Sequence, residues 1–167
     1  MNAIVTQRLI IKPSTRHDSV IRQLCRWLND PEIVQYSEQR HLRHTSQSEL
    51  HYIADNLATF REIYAGDELI GTINADIDEN NGIADVGILI GNKDKWNKGY
   101  GFEAWAAYCN NLLNNGTRKI EAGTMALNTG MIKIFRKYEM RYEGRREEHF
   151  SLGPQLVDMV MWGKFGE

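Results

Sequence analysis

Cysteine, charge imbalance and long apolar runs are all scarce in this sequence, and each scarcity removes a class of function. Only two cysteines occur in 167 residues. Cys25 and Cys109 lie far apart inside helical patterns, so neither a C-x-x-C redox pair nor a cysteine metal site is expected. Both read as small buried apolar side chains in a reducing cytosol. The histidines lack ligand spacing, so no metal is expected either. Formal charge is −2, and the pair Arg145-Arg146 is followed at once by Glu147 and Glu148, which cancel its field, so no nucleic-acid partner is expected. The sequence does not open with a basic stretch followed by an apolar run, and its longest apolar runs, such as Val86 to Ile90, are strand-sized. No membrane partner is therefore expected, and the reading is cytoplasmic. Without repeats, linkers or low-complexity segments, residues 1–167 read as one domain, large enough to bury a core without staples, as a monomer or homodimer.

What is present is a clear succession of periods. Arg8 to Lys12 reads as a strand closed by Pro13. Val20, Ile21, Leu24, Trp27 and Leu28 follow helical spacing, with Asp18 as N-cap and Asn29-Asp30-Pro31 as the stop. A second helix begins near Thr45 or Ser46, where Ser46 and Glu49 have capping-box spacing. The period then becomes alternating: Phe60 to Ala65, Leu69 to Ile77 and Ile83 to Ile90 form a meander around Gly66-Asp67-Glu68 and Asn80-Asn81-Gly82. A helix from Gly99 to Leu113, a strand from Lys119 to Leu127, a helix from Thr129 to Tyr138 and two strands, Arg141 to Phe150 and Leu156 to Trp162, complete the order. This is a mixed α/β pattern in which the strand-helix-strand unit Ile83 to Leu127 pairs its strands in parallel.

The segment Trp96-Asn97-Lys98-Gly99-Tyr100-Gly101-Phe102-Glu103-Ala104 lies between a strand end and a helix start. Glycines there let backbone approach a ligand, and the helix start offers unpaired N–H groups and a positive dipole, which together predict a bound phosphate or pyrophosphate. A Walker loop is excluded because no Gly-Lys-Ser or Gly-Lys-Thr occurs. Gly99-x-Gly101-x-x-Ala104, with Glu121 downstream, matches a dinucleotide fingerprint in letters. That fingerprint needs the strand to run directly into the first glycine, and here the loop from residue 91 to 98 intervenes.

Strand Ala84 to Ile90, the Trp96 to Gly101 loop and the helix opening Phe102-Glu103-Ala104 resemble motif A of the GCN5-related N-acetyltransferases. Trp96 stands where that family usually has Gln or Arg, and an aromatic residue there is similar to the ribosomal-protein N-acetyltransferase (RimJ/RimL-like) branch. Glu121 to Leu127, Asn128 and the helix through Phe135, followed by Met140-Arg141-Tyr142-Glu143-Gly144-Arg145, resemble motif B. Thr6-Gln7-Arg8-Leu9-Ile10-Ile11 and Trp27-Leu28-Asn29-Asp30-Pro31-Glu32 look like the start of the same branch. The resemblance covers nearly the whole chain. It implies a mostly antiparallel sheet of about seven strands, with one parallel pair splayed around acetyl-CoA and about four flanking helices. It further implies pantetheine along Ile88 and Ile90, pyrophosphate on Trp96, Asn97, Lys98, Gly99, Tyr100, Gly101 and Phe102, and Asn128, Met131 and Phe135 beside the pantetheine.

The implied activity is direct acetyl transfer from acetyl-CoA to an amine acceptor, which is a protein N-terminus, an amino sugar or another small amine. A coenzyme A-binding module without turnover and a dinucleotide-binding oxidoreductase are the alternatives. A Tyr in the motif B helix often protonates the leaving thiolate in this family; counting from Asn128, Phe135 holds that place, and Phe has no proton to give. Tyr138, one turn on, is a substitute acid or an amphipathic core Tyr. Because a thiol titrates near ~8.5, water can also protonate the leaving group. For a base, Asp85 alternates away from Ala84, Val86 and Ile88, which makes it either a cleft acid or a solvent-facing strand residue. Glu38, His41 and His44 form a polar cluster in the region that shapes acceptor binding in the family, either as acceptor ligands or as a solvated loop.

Overall fold

The computed structural model describes residues 2–166. Eight strands form one sheet: β1 (Ile4–Val5), β2 (Ile10–Pro13), β3 (Arg61–Ala65), β4 (Glu68–Asp78), β5 (Ile83–Ile90), β6 (Lys119–Met125), β7 (Arg141–Leu152) and β8 (Gln155–Phe165). Their order across the sheet is β1-β2-β3-β4-β5-β6-β8-β7. Every neighbouring pair is antiparallel except β5 and β6, which are parallel. The additional strand is β1, whose two residues are too short to show a period.

Four helices cover the two faces: α1 (Asp18–Leu28), α2 (Ser46–Asp55), α3 (Tyr100–Asn114) and α4 (Thr129–Lys137). On one face α1 and α2 bury Val20, Ile21, Leu24, Trp27 and Ile53 with Phe60, Leu69 and Leu89. On the other, α3 and α4 bury Trp105, Tyr108, Cys109, Phe135 and Tyr138 against Ile63, Ile73, Ala84, Val86, Ile120 and Trp162. Strand alternation divides β5 between them: Ala84 and Val86 are buried under α3, whereas Asp85 and Gly87 are exposed on the face carrying α1 and α2.

Two helix starts differ from expectation. The N-cap of α1 is His17, and Asp18 is the first helical residue, where its charge still complements the dipole. The capping box of α2 is made by Thr45 and Ser48, not Ser46 and Glu49. Glu49 is drawn inward instead: its Oε1 lies 2.7 Å from Nδ1 of buried His44. Cys109 is buried as expected, but Cys25 is only partly covered. The last two strands run longer than their apolar patterns because the β7–β8 hairpin continues past the helices as an exposed ribbon, with register shifts at Tyr142/Gly144 and Arg146/Phe150.

Gly91 joins the end of β5 to α1, since its N–H donates to Ile70 O and a Cβ there would overlap the indole of Trp27. Gly91→Ala is therefore expected to lower stability by about 1–3 kcal/mol through overpacking. Urea denaturation measures it; an unchanged midpoint would show that the indole moves aside freely.

Candidate active site

The ladder between β5 and β6 is short. It pairs Ile83 with Lys119, Ala84 with Ile120 and Asp85 with Glu121, and then stops, although both strands continue. On its other edge β5 remains paired with β4 as far as Ile90. Gly91 N–H bonds Ile70 O, which fixes the antiparallel phase: Ile88 and Ile90 turn their N–H and C=O groups away from β4 and into the gap. A strand edge left this way must find hydrogen-bond partners elsewhere. One group is already satisfied, because Trp96 Nε1 donates to Ile90 O at 2.7 Å. The aromatic residue of the loop thus ties its start to the end of β5. Ile88 retains both groups for a ligand.

At the end of β5 the chain turns through a short 3-10 segment, Lys93–Lys95, into the loop before α3. Asn97 and Gly99 have positive φ of 58° and 84°, so this turn uses the left-handed region twice. Gly99 is the N-cap of α3, and no side chain caps that end. The first N–H groups of a 15-residue helix therefore face outward, as anion binding requires. A brace from the far end of the sequence holds the loop in place. Arg8 Nη1 donates to Lys98 O at 3.0 Å, its guanidinium lies 4.3 Å from the Tyr100 ring centroid, and its Nε donates to Glu103 Oε2 at 2.6 Å. Glu103 also accepts from Thr6 Oγ1 and Arg8 N. Burial alone would raise the Glu103 pKa, but the bonds from Thr6 and Arg8 bring it below the usual carboxylate range. The sequence placed Thr6 and Arg8 in a family-like opening segment without a role; their contact with Glu103 is tertiary and has no local signal.

Across the gap, Asn128 is the N-cap of α4. Its Oδ1 accepts from Met131 N, and its Nδ2 donates to Thr124 Oγ1 at 3.0 Å. Met131 is partly buried beside the α3–α4 core. Phe135 is 1 % exposed and packs edge-on against Trp105 and beside Trp162, so its ring is a core element. Tyr138 stands apart from the gap. Its hydroxyl donates to Asn110 Oδ1 at 2.7 Å, and its carbonyl accepts from Lys164, which pairs with Ile120 at the closed end of the ladder. The structure therefore does not bring Tyr138 together with the other candidates, because one turn beyond Phe135 the helix has moved down the sheet.

On the face carrying α1 and α2, three carboxylates sit directly opposite one another on adjacent strands: Asp76, Asp85 and Glu121. Like charges so placed repel. Solvent reaches the Asp85 side chain, yet partial burial first, then Glu121 and Asp76, push its pKa up to about 6. Glu38 and His41 belong to an exposed 3-10 turn. Glu38 pairs with Arg40, which also donates to Ser151 O at the β7–β8 hairpin tip. His44 is separated from them by burial: Nδ1 faces Glu49, Nε2 faces Gln39 O, and Asn29 brackets its backbone. It is a strut for the loop, not a solvated neighbour of Glu38. Among the described residues no group of three His, Cys, Asp or Glu is placed to hold a metal ion, and no helix is long and apolar enough to cross a membrane.

A mostly antiparallel sheet opened at its one parallel pair, with an uncapped helix start beside the opening, defines the architecture of an acyl-CoA-dependent acyltransferase. The sequence matches the model of the acetyltransferase (GNAT) domain over residues 8–141. The chain belongs to the GNAT acetyltransferase family, whose activity is acetyl-CoA-dependent acetyl transfer. Its fold is similar to that of a GNAT acetyltransferase from Bacillus anthracis, with 18 % identity, 98 % of each chain covered and a TM-score of 0.84. It is similar also to RimL, a ribosomal L7/L12 alpha-N-protein acetyltransferase solved with coenzyme A, with 15 % identity, 98 % of each chain covered and a TM-score of 0.86. A further likeness is to an acetyltransferase from Salmonella typhimurium that modifies the N-terminal serine of ribosomal protein L7/L12, with 15 % identity, a TM-score of 0.82 and coverage of 98 % of this chain and 99 % of that one. No curated protein matches the sequence.

The carboxylate row makes a stability prediction. The Asp85 pKa is raised from 3.8 to about 6 in the folded chain, so between about pH 4 and pH 6 the folded state binds more protons than the unfolded one. Stability falls as pH rises through that window, and the penalty is complete above it. Asp85→Asn is expected to stabilise the protein near neutral pH by about 1 kcal/mol, after discounting for solvent screening, and to give no gain below about pH 4. Urea midpoints at the two pH values check this; equal effects at both would show that the carboxylates do not couple.

Proposed function

We propose that this enzyme acetylates a primary amine by direct attack on acetyl-CoA, without an acetyl-enzyme intermediate, and that the acceptor approaches from the face carrying Asp85. The observation that supports this most is the Ile88 peptide, which turns an N–H and a C=O into the gap between β5 and β6. The pantetheine amides pair with such an edge as a missing strand would, and the pyrophosphate lies on the amides of Asn97, Lys98, Gly99, Tyr100, Gly101 and Phe102 at the α3 start. The thioester then sits in the gap, where the Ile88 N–H donates to the carbonyl oxygen as negative charge develops on it.

The acceptor side is acidic. Asp76, Asp85 and Glu121 concentrate a cationic amine, and Asp85, with its raised pKa, is the carboxylate best placed to relay the proton that the ammonium must lose before attack. Glu38 and His41, on the exposed turn tethered through Arg40 to the hairpin tip, form the outer rim of acceptor binding. The acceptor class remains that of protein N-termini, amino sugars and other small amines. RimL is an alpha-N-acetyltransferase of ribosomal protein L7/L12, and the Salmonella typhimurium protein modifies the N-terminal serine of L7/L12, so a peptide with a free N-terminal serine is the first acceptor to try.

Calorimetry should show acetyl-CoA binding to the parent and none to Gly99→Val. That side chain occupies the space of a phosphate and resists the positive φ of 84° at Gly99. Arg8→Ala, which frees the loop from its brace, should weaken binding on the order of tenfold. Undiminished affinity in Gly99→Val would sink the assignment of the loop. Binding without thiol release, across a serine peptide, an amino-sugar nucleotide and spermidine, would return the chain to a coenzyme A-binding module.

A further inference from the structure

With Phe135 in the core and the Tyr138 hydroxyl bonded to Asn110 at the closed end of the sheet, neither motif B aromatic supplies a proton or hydrogen bond to the reacting centre. A different tyrosine lies on the face of the sheet that carries Asp85. Tyr52 projects from α2, its ring held edge-on by Phe60 at 6.0 Å. Its hydroxyl accepts a hydrogen bond from Asn74 Nδ2 at 3.0 Å. Asn74 is directly opposite Gly87 across the β4–β5 ladder, and its Oδ1 is 3.6 Å from where a Gly87 Cβ would be. Gly87 follows the last parallel pair by two residues and adjoins Ile88, so the Tyr52 hydroxyl is one hydrogen bond from a residue that faces β5 where the ladder opens, and Gly87 presents no side chain there. The direction of the Asn74 bond matters. Because the phenolic oxygen is the acceptor there, its own hydrogen is left over, and no acceptor among the described residues takes it.

We propose that Tyr52 is a catalytic hydrogen-bond donor, which shares with the Ile88 N–H the negative charge formed on the acetyl carbonyl oxygen, and that Asn74 positions it. The proposal rests on the acetyl-transfer reading of the site. The amine nitrogen bonds the carbonyl carbon and the C=O pair moves onto oxygen, where both donors meet it. On collapse the C–S bond breaks and its pair goes to sulfur. The proton shed by the amine nitrogen leaves through Asp85 or solvent, sulfur takes a proton from solvent, and Tyr52 keeps its own throughout. Its surroundings favour that. Burial first, and further on Glu49 and Asp76, raise the Tyr52 pKa against the lowering effect of Asn74, so the side chain stays a neutral O–H donor.

The test uses the full chain, with thiol release from acetyl-CoA measured against a serine peptide, glucosamine and spermidine, and acetyl-CoA affinity measured by calorimetry. With the amine the parent uses best, Tyr52→Phe should lower kcat by on the order of a hundredfold while leaving acetyl-CoA affinity and thermal midpoint near the parent's. Asn74→Asp offers a carboxylate that captures the Tyr52 proton, and should slow the parent to a similar degree yet add little in the Tyr52→Phe background. A kcat for Tyr52→Phe within twofold of the parent overturns the proposal, as does an equal loss from Asn74→Asp with and without Tyr52. A parent that binds no acetyl-CoA, or binds it and releases no thiol, overturns the acetyl-transfer reading itself and the donor role with it.

Discussion

The structure turns on one interruption of backbone pairing. Parallel strands normally extend their ladder as far as both run, because each unpaired buried N–H or C=O costs about 1–3 kcal/mol. Here β5 and β6 separate after Asp85 and Glu121 while each keeps its other neighbour, β4 or β8. The opening begins just past the Asp85–Glu121 pair, where two like charges face each other, and on the α3–α4 face Trp105, Phe135 and Trp162 pack together as an aromatic cluster. The free edge of β5 is the centre of the site, with the Asn97–Gly99 loop, the α3 start and the carboxylate-bearing face arranged around it.

On the proposed reading, the ligand is anionic at one end and meets a cation at the other, and charge is distributed in that sense. Lys98 and the N-terminus of α3 give the loop end its positive field, while the charge of Arg8 beside them is balanced by Glu103. Asp76, Asp85 and Glu121 make the opposite side of the gap negative. With a net charge of only −2, this segregation is invisible in composition, since a balanced total conceals two opposed local fields. Lys119 limits the acidic side: it pairs with Glu143 at 2.7 Å and approaches Glu121 at 3.4 Å, leaving Asp76 and Asp85 as the members of the row with no salt bridge among the described residues.

Much of this was legible in the sequence where the signal is local. The periods of β3, β4, β5 and α3 gave the meander and its following helix, and alternation along Ala84-Asp85-Val86 assigned Asp85 to the open face. The glycines of the loop were read as room for close backbone approach; the left-handed φ of Gly99 and Asn97 is a further feature of the turn. What was not legible depends on contacts between distant segments. The hold of Arg8 on Lys98 and Glu103 spans some 90 residues, and nothing in Thr6-Gln7-Arg8 alone predicts it. Counting along α4 put Phe135, which has no proton to give, at the family's acid position and left Tyr138 open as a substitute acid or a core Tyr; its burial and its bond to Asn110 agree with the core alternative. Tyr52 was missed because α2 is only weakly amphipathic: Leu50 and Tyr52 remain substantially exposed, so its periodicity does not reveal which residue faces the sheet.

His44 illustrates how a polar cluster in a loop divides once folded. Grouped by sequence with Glu38 and His41, it has the same chemistry but a different environment, since it is buried while they are exposed. Its two ring nitrogens join Glu49 on α2 to the Gln39 carbonyl in the preceding turn, and Asn29 at the end of α1 bonds both its N–H and its C=O. Three segments therefore meet at one residue, and the turn carrying Glu38 and His41 is anchored at this end by His44 and at the other by Arg40 on Ser151. A loop held at both ends keeps its side chains over one region of the sheet without needing apolar burial of its own. The turn carrying Glu38 and His41 is thus positioned by polar contacts, the buried His44–Glu49 pair and the exposed Arg40–Ser151 bond, while Glu38 and His41 themselves stay exposed.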